Sequence, residues 1–398
     1  MNDSISSTSV AASPGRAGQY IQQSTGYRAF SPKSLPPDPP VVIRPKMQVL
    51  LSQADRALGR LDGSIQTLPD SDWFMYMYVR KEAVLSSQIE GTQSSLQDVL
   101  AAEARILSPN RPRDVDEVIN YVRAMNYGLQ RLSELPVSVR LIREIHAELL
   151  KGVRGSHLTP GEVRQNQNWI GPAGCSLNEA IFVPPPPHEI AHHLSELERF
   201  LHSDSKLPML IRIGLAHAQF ETIHPFLDGN GRVGRLLITF LLCEQQTLLK
   251  PVLYLSHYFK QYRQAYYDQL QSVRDRGTWE EWLTFFLRGV AEVSNQATET
   301  VRLILNLRET HRKVITDKLG RAAGNGYRVL DHLYQHPIVS VSNVQDLTGT
   351  SYQAANTLVS KFVENRILEE FTGQARNRKF MYASYINLFR DDTGRADV

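Results

Sequence analysis

From residue 45 to residue 318, apolar residues recur at steps of three and four along most of the chain, the spacing of helices with one buried face. The first helix is predicted to stop at Gly63. The predicted helices cover residues 45–61, 72–90, 114–132, 138–151, 188–203, 208–222, 232–246, 256–274, 278–290 and 291–318. The pattern therefore predicts a mainly α-helical protein.

Residues 155–187 interrupt the helical pattern and end in four consecutive prolines. The apolar tetrad just before these prolines, residues 180–183, is the best strand candidate of the first 300 residues. Proline has no N–H to give to a strand ladder, so the strand is expected to end there. We predict a short β-hairpin with one exposed edge, which contains Ile181, Phe182 and Val183.

The first 40 residues are rich in serine, glycine and proline and end in the sequence LPPDPP. Such a segment lacks the apolar surface that would compensate for the loss of conformational entropy on ordering. We therefore predict a disordered tail at residues 1–40.

The pattern changes again after residue 318, where Gly324 and Gly326 indicate a linker or turn. Three short helices and then two alternating strands are predicted, an order typical of a winged helix-turn-helix. The helices cover residues 327–336, 342–348 and 351–365, and the strands cover 367–372 and 379–385. The predicted parts are a tail (1–40), an N-terminal helical region (41–110), a helical core (111–318) and a small α/β winged-helix domain (319–398).

The composition narrows the class of protein. The 44 basic and 41 acidic side chains leave a net charge of +3, which does not by itself indicate nucleic-acid binding. Cys175 and Cys243 do not form a CxxC pair, so we expect no disulfide framework. No apolar run reaches the length of a membrane span and no signal peptide is visible. We expect a cytoplasmic protein without membrane contact.

Residues 224–235, HPFLDGNGRVGR, combine polar, charged and glycine residues in one short segment and are the main candidate for a functional site. Gly229 and Gly231 flank an asparagine and allow backbone N–H groups to converge on an anion. The segment opens into a predicted helix, whose N-terminus adds unpaired N–H donors and a partial positive charge. Arg232 and Arg235 are three residues apart and project from one side of the first turn. These features predict a polyphosphate site.

Asp228 and His224 add two further chemical groups to this segment. A carboxylate beside phosphates repels them unless a cation intervenes, and Mg²⁺ prefers carboxylate and phosphate oxygens. An imidazole with a pKa near neutrality is the side chain best suited to take a proton from an attacking hydroxyl. We therefore predict a Mg²⁺ ligand at Asp228 and a general base at His224.

Other interpretations of the segment stay open from the residues alone. Residues 229–234 match GxGxxG, although a dinucleotide site requires a preceding strand and a helix is predicted there. His217, Glu221 and His224 are candidate ligands of a transition metal, although their spacing is not HExxH. A plain glycine-rich turn with surface arginines is the third alternative. The Walker A pattern is absent, since no Gly-Lys-Ser/Thr occurs in the segment.

The string HxFxDGNGRxxR, from His224 to Arg235, resembles the complete signature of the Fic family. The resemblance extends over residues 45–290 and implies an all-helical core. It implies a nucleotidyltransferase that moves AMP from ATP to Ser, Thr or Tyr hydroxyls of proteins, with His224 as base and Asp228 as Mg²⁺ ligand. Phe226 would be a core anchor and Arg235 the γ-phosphate partner. The implied nucleotide-binding residues of the loop are Gly229, Asn230, Gly231, Arg232, Val233, Gly234 and Arg235.

A second segment, SSQIEG at residues 86–91, resembles the inhibitory pattern of the same family, Ser/Thr-x-x-x-Glu-Gly/Asn. Ser86 and Glu90 are four residues apart and so share a helix face before Gly91. A carboxylate there can pair with Arg235 in a bidentate way and take the position of the γ-phosphate. The resemblance thus implies that Glu90 lies at the nucleotide site and inhibits the activity.

The resemblance also implies partners. Residues 180–183 resemble the flap of the family, whose free edge can add a target segment by β-augmentation. On the helix that follows the loop, Tyr267 is the candidate contact to the nucleoside. Implied targets are proteins with a hydroxyl side chain, including the chain itself, and a homodimer is left open. DNA and protein are both candidate partners of the C-terminal domain, and a DNA-binding regulator is the alternative function.

Overall fold

The computed structural model describes residues 15–24, 26–106, 112–172, 174–373 and 376–390. The α-helices are α1 (Pro45–Gln66), α2 (Ser71–Ile89), α3 (Leu96–Glu103), α4 (Val115–Arg131), α5 (Val139–Leu149), α6 (Pro187–His202), α7 (Met209–Ile223), α8 (Asn230–Glu244), α9 (Ser256–Gln261), α10 (Arg263–Arg276), α11 (Trp279–Leu319), α12 (Ala323–Leu333), α13 (Val341–Thr348), α14 (Tyr352–Glu364) and α15 (Ala383–Ile386). The strands are β1 (Gly18–Gln22), β2 (Arg28–Pro32), β3 (Ile338–Ser340), β4 (Glu369–Glu370) and β5 (Lys379–Met381). The predicted mainly α-helical fold is confirmed.

The chain divides into two compact units. The first comprises residues 1–57, 120–247 and 255–292, and the second comprises residues 58–119, 248–254 and 293–398. Across the part of the chain that the structure describes, no helix combines the length and the apolar character that a membrane span requires.

In the first unit, α7 and α8 form the centre of the core. Every residue of α7 from Ile213 to Ile223 is buried, as expected for a helix that is surrounded by protein on all sides. Gly234 lets α8 approach it closely, because a Cβ at that position would lie only 2.3 Å from Oε1 of Glu221. Trp282 of α11 packs on the same helix and donates to the Gly214 carbonyl at 2.8 Å. The connection between α7 and α8 is therefore held at both ends by buried helices.

The N-terminal segment of the first unit is an antiparallel hairpin of β1 and β2. Phe30 in β2 is fully buried, and its N–H donates to the carbonyl of Val183 at 2.9 Å. Arg16 makes a bidentate ion pair with Glu280, at 2.8 and 2.9 Å. The predicted disordered tail is therefore wrong for the described residues up to 40, because long-range contacts order a segment whose composition alone does not. Residues 1–14 lie outside the described residues.

In the second unit, α2 packs against the C-terminal segment through aromatic rings. The ring centroids of Tyr78 and Phe389 are 5.3 Å apart. Arg80 of α2 donates to both carboxylate oxygens of Glu103, at 2.6 and 2.8 Å. Glu103 belongs to α3, a helix that the apolar pattern did not predict, although its capping box at Ser95 is a start signal.

The C-terminal part of the second unit contains α12, α13 and α14 and a three-stranded antiparallel sheet in the order β3-β5-β4. The three helices were predicted, whereas β3 was not. Residues 383–389 are helical instead of continuing the second predicted strand, because Tyr382 and Tyr385 are both fully buried against Tyr334. The winged-helix assignment stays a prediction.

Candidate active site

The candidate active site begins where α7 ends, at His224. Its backbone is left-handed, with φ 48° and ψ 61°, and its N–H caps the helix on the Phe220 carbonyl at 3.0 Å. A residue other than glycine rarely adopts this conformation, which turns the chain sharply out of the helix. The half-buried imidazole therefore stands at the entrance of the loop.

Arg164 holds the backbone of this turn. Its Nε donates to the His224 carbonyl at 2.9 Å, its N–H to the Pro225 carbonyl at 2.9 Å, and its Nη2 to the Pro185 carbonyl at 2.6 Å. Burial lowers the pKa of Arg164 to about 10, so the side chain is still a cation at neutral pH. Sequence analysis missed this residue, because an arginine in a polar segment gives no sign that it is buried.

The side chain of Asn230 stabilises the loop by hydrogen bonds to the loop backbone. Its Oδ1 accepts from the N–H of Phe226 at 2.9 Å, and its Nδ2 donates to the Phe226 carbonyl at 2.8 Å. Phe226 is fully buried, as expected of a core anchor. Through these two contacts the side-chain amide of Asn230 holds the backbone of Phe226 on both sides of that residue. The nucleotide-binding role that the resemblance implies for Asn230 stays a prediction.

Gly229 turns the loop into α8 with φ 80°, a conformation that glycine adopts without a Cβ penalty. The helix begins at Asn230, so the N–H groups of its first turn have no partner within the helix. Arg232 and Arg235 follow and are both buried. The structure thus brings together a glycine turn, a helix N-terminus and two arginines, as the sequence predicted.

Asp228 lies between the histidine and this turn, with 32% of its side chain exposed. Its Oδ1 accepts from the N–H of Gly229 at 2.6 Å and lies 3.4 Å from Nη2 of Arg232. An accessible carboxylate beside a helix N-terminus fits a Mg²⁺ ion whose other ligands are phosphate oxygens and water. Among the described residues there is no group of three or more His, Cys, Asp or Glu that could hold a metal without such help.

His217 is buried in α7 and both of its ring nitrogens are engaged. Nδ1 lies 2.9 Å from the Gly234 carbonyl and Nε2 lies 2.9 Å from the Tyr266 hydroxyl. A carbonyl only accepts, so Nδ1 carries the proton and Nε2 accepts from Tyr266. Burial lowers the pKa of His217 to about 3, in agreement with a neutral ring. The transition-metal interpretation is therefore wrong, and so is the dinucleotide one, because a helix precedes the glycines.

The predicted flap is reduced to an isolated β-bridge between Ile170 and Phe182. Phe182 is buried, whereas Ile181 is 63% exposed. The carbonyl of Val183 accepts from Phe30 of β2. The N-terminal hairpin therefore occupies part of the edge that the sequence predicted to be open.

On α10, Tyr267, the candidate contact to the nucleoside, and two other side chains of the same helix have different surroundings. Tyr266 is buried against His217, as described above. Arg274 is buried too: it stacks on the Phe182 ring at 3.8 Å and donates to the Glu221 carbonyl at 3.1 Å. Of these three, Tyr267 keeps an accessible ring, with 38% of the residue exposed.

The predicted inhibitory residues lie at the end of α2, in the second unit. Ser86 is fully buried, and Glu90 is the exposed C-cap of the helix. Gly91 has φ 96°, a conformation that ends a helix. The helix end predicted at Gly91 is confirmed.

A second residue that sequence analysis missed is His146 of α5. It is fully buried, and its ring stacks on Phe226 with centroids 3.8 Å apart. In the sequence it shares a helical face with Ile142, Ile145 and Leu149. This spacing predicts that His146 is buried, but it does not predict a contact with the loop.

Comparison with known proteins matches two regions of the chain. Residues 48–130 match the model described as Fic/DOC family N-terminal, and residues 136–242 match the Fic/DOC family model. Protein adenylyltransferase Fic of Drosophila yakuba is 28% identical over 212 residues, which are 50% of this chain and 38% of that protein. The protein of the same name from Drosophila persimilis is 31% identical over 157 residues, 38% of this chain and 27% of that protein. The chain thus spans less than half of the length of these curated relatives.

A solved structure agrees with this assignment at the level of the fold. The crystal structure of a Fic family protein from Desulfovibrio desulfuricans G20 matches with a TM-score of 0.56 and 18% sequence identity, over 86% of this chain and 97% of that one. Likeness at this identity concerns the fold alone. The chain thus contains an N-terminal Fic/DOC region at residues 48–130 and a Fic/DOC domain at residues 136–242, and this domain carries the intact loop between α7 and α8.

Proposed function

We propose that this protein is a nucleotidyltransferase that moves AMP from ATP to a hydroxyl side chain of a protein and releases diphosphate. The observation that carries the proposal is the loop between α7 and α8. Within that loop, a half-buried imidazole, an accessible carboxylate and the N-terminus of a buried helix follow one another. The arrangement offers a base, a metal ligand and a phosphate cradle in one short segment.

In the proposed reaction, the triphosphate binds at the first turn of α8, where backbone N–H groups and two arginines balance its charge. His224 takes the proton of the attacking hydroxyl. The hydroxyl oxygen then bonds to the α-phosphorus while the bond to the bridging oxygen breaks, and diphosphate leaves with that electron pair. When bound at Asp228, Mg²⁺ would neutralise charge on the phosphates.

The target hydroxyl, from Ser, Thr or Tyr, approaches along the flap in this proposal. A strand edge can add an extended segment of another protein through main-chain hydrogen bonds. Phe30 already uses the carbonyl of Val183, so docking is proposed for the part of the flap before it, where Ile181 is exposed. The chain itself is a candidate target.

Glu90 is proposed to restrain the activity. A carboxylate can replace a phosphate opposite an arginine, since both accept two hydrogen bonds from a guanidinium. With Arg235 engaged in this way, ATP would bind with its α-phosphate out of line with the hydroxyl. Glu90 is an exposed helix C-cap, a position that requires no glutamate for core packing.

The transferase proposal is tested with ATP labelled at the α-phosphate and Mg²⁺, with the protein alone and with cell lysate. Wild type is expected to attach label to protein, and His224→Ala to reduce the rate by about a hundredfold or more. His188→Ala is the matched control, because the side chain of His188 is 75% exposed and outside the loop. Labelling by His224→Ala at the wild-type rate would exclude His224 as the base, and no labelled protein in any sample would reject the proposed activity.

Asp228→Ala tests the proposed metal site. Transfer that depends on Mg²⁺ should be lost, because the triphosphate is then misplaced. Asp204→Ala, at an exposed aspartate outside the loop, should titrate with Mg²⁺ like the wild type. An Asp228→Ala enzyme of normal rate and unchanged Mg²⁺ dependence would remove Asp228 from the site.

DNA binding by the C-terminal domain, the alternative function, is not favoured. Arg378 of the predicted wing donates to Asn356 at 3.2 Å and lies 4.0 Å from Glu370, so part of its charge is balanced within the domain. Filter binding at increasing salt would decide the matter, because a steep loss of affinity indicates phosphate contacts.

A further inference from the structure

His146 joins two segments of the first unit through its two ring nitrogens. The N–H of Gly161 donates to Nδ1 at 2.8 Å, and Nε2 lies 2.9 Å from the backbone carbonyl of Asp228. The ring is fully buried and stacks on Phe226, with 6° between the ring planes. The motif at residues 224–235 does not include this histidine.

The two partners determine the protonation of the ring. A backbone N–H only donates, so Nδ1 of His146 must be the unprotonated acceptor. A backbone carbonyl only accepts, so Nε2 must carry the proton and donate to Asp228. The neutral Nε2–H tautomer satisfies both contacts, and no other form does.

This hydrogen bond controls the direction of one amide in the loop. The peptide between Asp228 and Gly229 is planar and trans, so its carbonyl and its N–H point in opposite directions. With the carbonyl held by His146, the N–H of Gly229 points away from His146 and reaches the Asp228 carboxylate at 2.6 Å. If this peptide turned over, a carbonyl oxygen would face the anion site and repel a phosphate.

We propose that His146 is a positioning residue for the phosphate cradle: it holds the 228–229 peptide with its N–H toward the Asp228 carboxylate and its carbonyl oxygen away from the triphosphate. The proposal rests on the proposed function for its ligand, ATP. Gly229 has φ 80° and, as a glycine, meets little resistance to rotation of its backbone. The restraint on this peptide therefore comes from side chains: His146 holds its carbonyl, and the Asp228 carboxylate accepts from its N–H.

Two substitutions separate the contacts of His146. In His146→Gln, the side-chain N–H group can take the place of Nε2 and keep the bond to Asp228. In His146→Asn, the shorter side chain places its oxygen near Nδ1, so it keeps the bond from Gly161 but does not reach Asp228. Both variants lose the stacked ring equally, which makes them a matched pair.

The measurements are ATP and Mg²⁺ binding by calorimetry, kcat and KM for AMP transfer, and unfolding by urea. His146→Asn should bind or transfer at least about tenfold worse than His146→Gln, since it alone releases the 228–229 peptide. The two variants should unfold at similar urea concentrations. A merely structural role would instead lower stability and activity together in both variants.

Equal nucleotide binding and equal transfer in the two variants would overturn the proposal. A failure of the proposed function would look different, because wild type would then transfer no AMP at all. Weaker ATP binding by His146→Asn than by His146→Gln would still support the positioning role in that case.

Discussion

The conformation of the loop between α7 and α8 depends on a few individual side chains. Most of them lie outside the motif at residues 224–235. Arg164 and His146 bind backbone carbonyls of the loop, and Asn230 closes it on Phe226. Arg164, His146 and Asn230 are each 2% exposed or less. Removal of one of them leaves a buried polar group unsatisfied, which costs about 1–3 kcal/mol. The geometry of the loop therefore depends on buried side chains whose polar groups bind the loop backbone.

Glu90→Gly is expected to increase AMP transfer, whereas most substitutions near a site reduce it. In the proposed restraint Glu90 competes with the γ-phosphate, so its removal would correct the placement of ATP, and correcting a misplacement of about 1 Å can raise the rate about a hundredfold. Arg235→Ala should show no gain, and the double variant should be as poor as Arg235→Ala alone. Labelled AMP per protein over time is compared for the four forms. A Glu90→Gly enzyme slower than wild type would show that Glu90 is catalytic or structural.

His217 makes stability depend on pH. Its pKa in the folded state is about 3, below the usual value of 6.5, so the unfolded chain binds this proton first as the pH falls. Between pH 6 and pH 4 the free energy of unfolding should fall by about 1 kcal/mol per pH unit through this one group. Urea unfolding of wild type and His217→Gln isolates the effect, since the variant lacks the titrating ring. Parallel pH profiles would contradict the assignment.

At the level of single helices, glycine residues have different structural roles. α1 continues through Gly63, where the sequence predicted a stop, because its apolar face stays buried as far as Ile65. An interior glycine costs a helix only about 1 kcal/mol, which such burial outweighs. In α4, by contrast, Gly128 makes room for α8: a Cβ there would lie 2.4 Å from the ring of Phe240.

Two glycine-to-alanine substitutions should therefore have opposite effects on stability. Gly128→Ala is expected to destabilise by about 1–3 kcal/mol, because the buried ring of Phe240 must move. Gly59→Ala, at an exposed position of α1 with no atom within 4 Å, should stabilise by about 0.5–1 kcal/mol. Urea unfolding measures both, and effects of the same sign would show that the approach of α4 to α8 is not as close as described.

At the scale of the whole molecule, the N-terminal hairpin is an integral part of the first unit. The pair of Arg16 and Glu280 is almost fully buried, and Arg16 also donates to the Pro39 carbonyl at 2.7 Å. Burial raises the pKa of Glu280, but hydrogen bonds from Arg16 and from the N–H of Val42 outweigh it and leave the pKa below its usual value. The ion pair between Arg16 and Glu280 thus connects two residues of the unit that are 264 positions apart in the sequence.

Arg16→Ala should destabilise the protein by about 3–5 kcal/mol, since it leaves the Glu280 carboxylate buried without its partner. Limited proteolysis should then cut within residues 15–40 faster than in the wild type. Arg28→Ala is the matched control, because Arg28 is an exposed arginine of the same hairpin. If Arg16→Ala and Arg28→Ala were cleaved at the same rate, the ion pair would not be what holds the hairpin.

Features that depend on neighbours along the chain could be predicted from the amino-acid sequence. Apolar spacing located most helices, since a helix is built from contacts three and four residues apart. The order of groups in residues 224–235 predicted the glycine turn, the helix N-terminus and the arginines together, because all of them lie within one loop and one helical turn. The match to the Fic family rests on the same local order, and so does the helix end at Gly91.

The distant residues that support that loop, and the contacts that order the N-terminal hairpin, could not be predicted from the sequence and follow from the packing of the fold. His146 lies 82 positions from Asp228, and Arg164 lies 60 positions from His224. Such contacts leave no periodic signal, because they depend on how buried helices pack and not on spacing along the chain. The order of β1 and β2 has the same origin: Phe30 and Arg16 gain burial and partners from residues that are remote in sequence, and these gains offset the entropy that a segment of this composition loses.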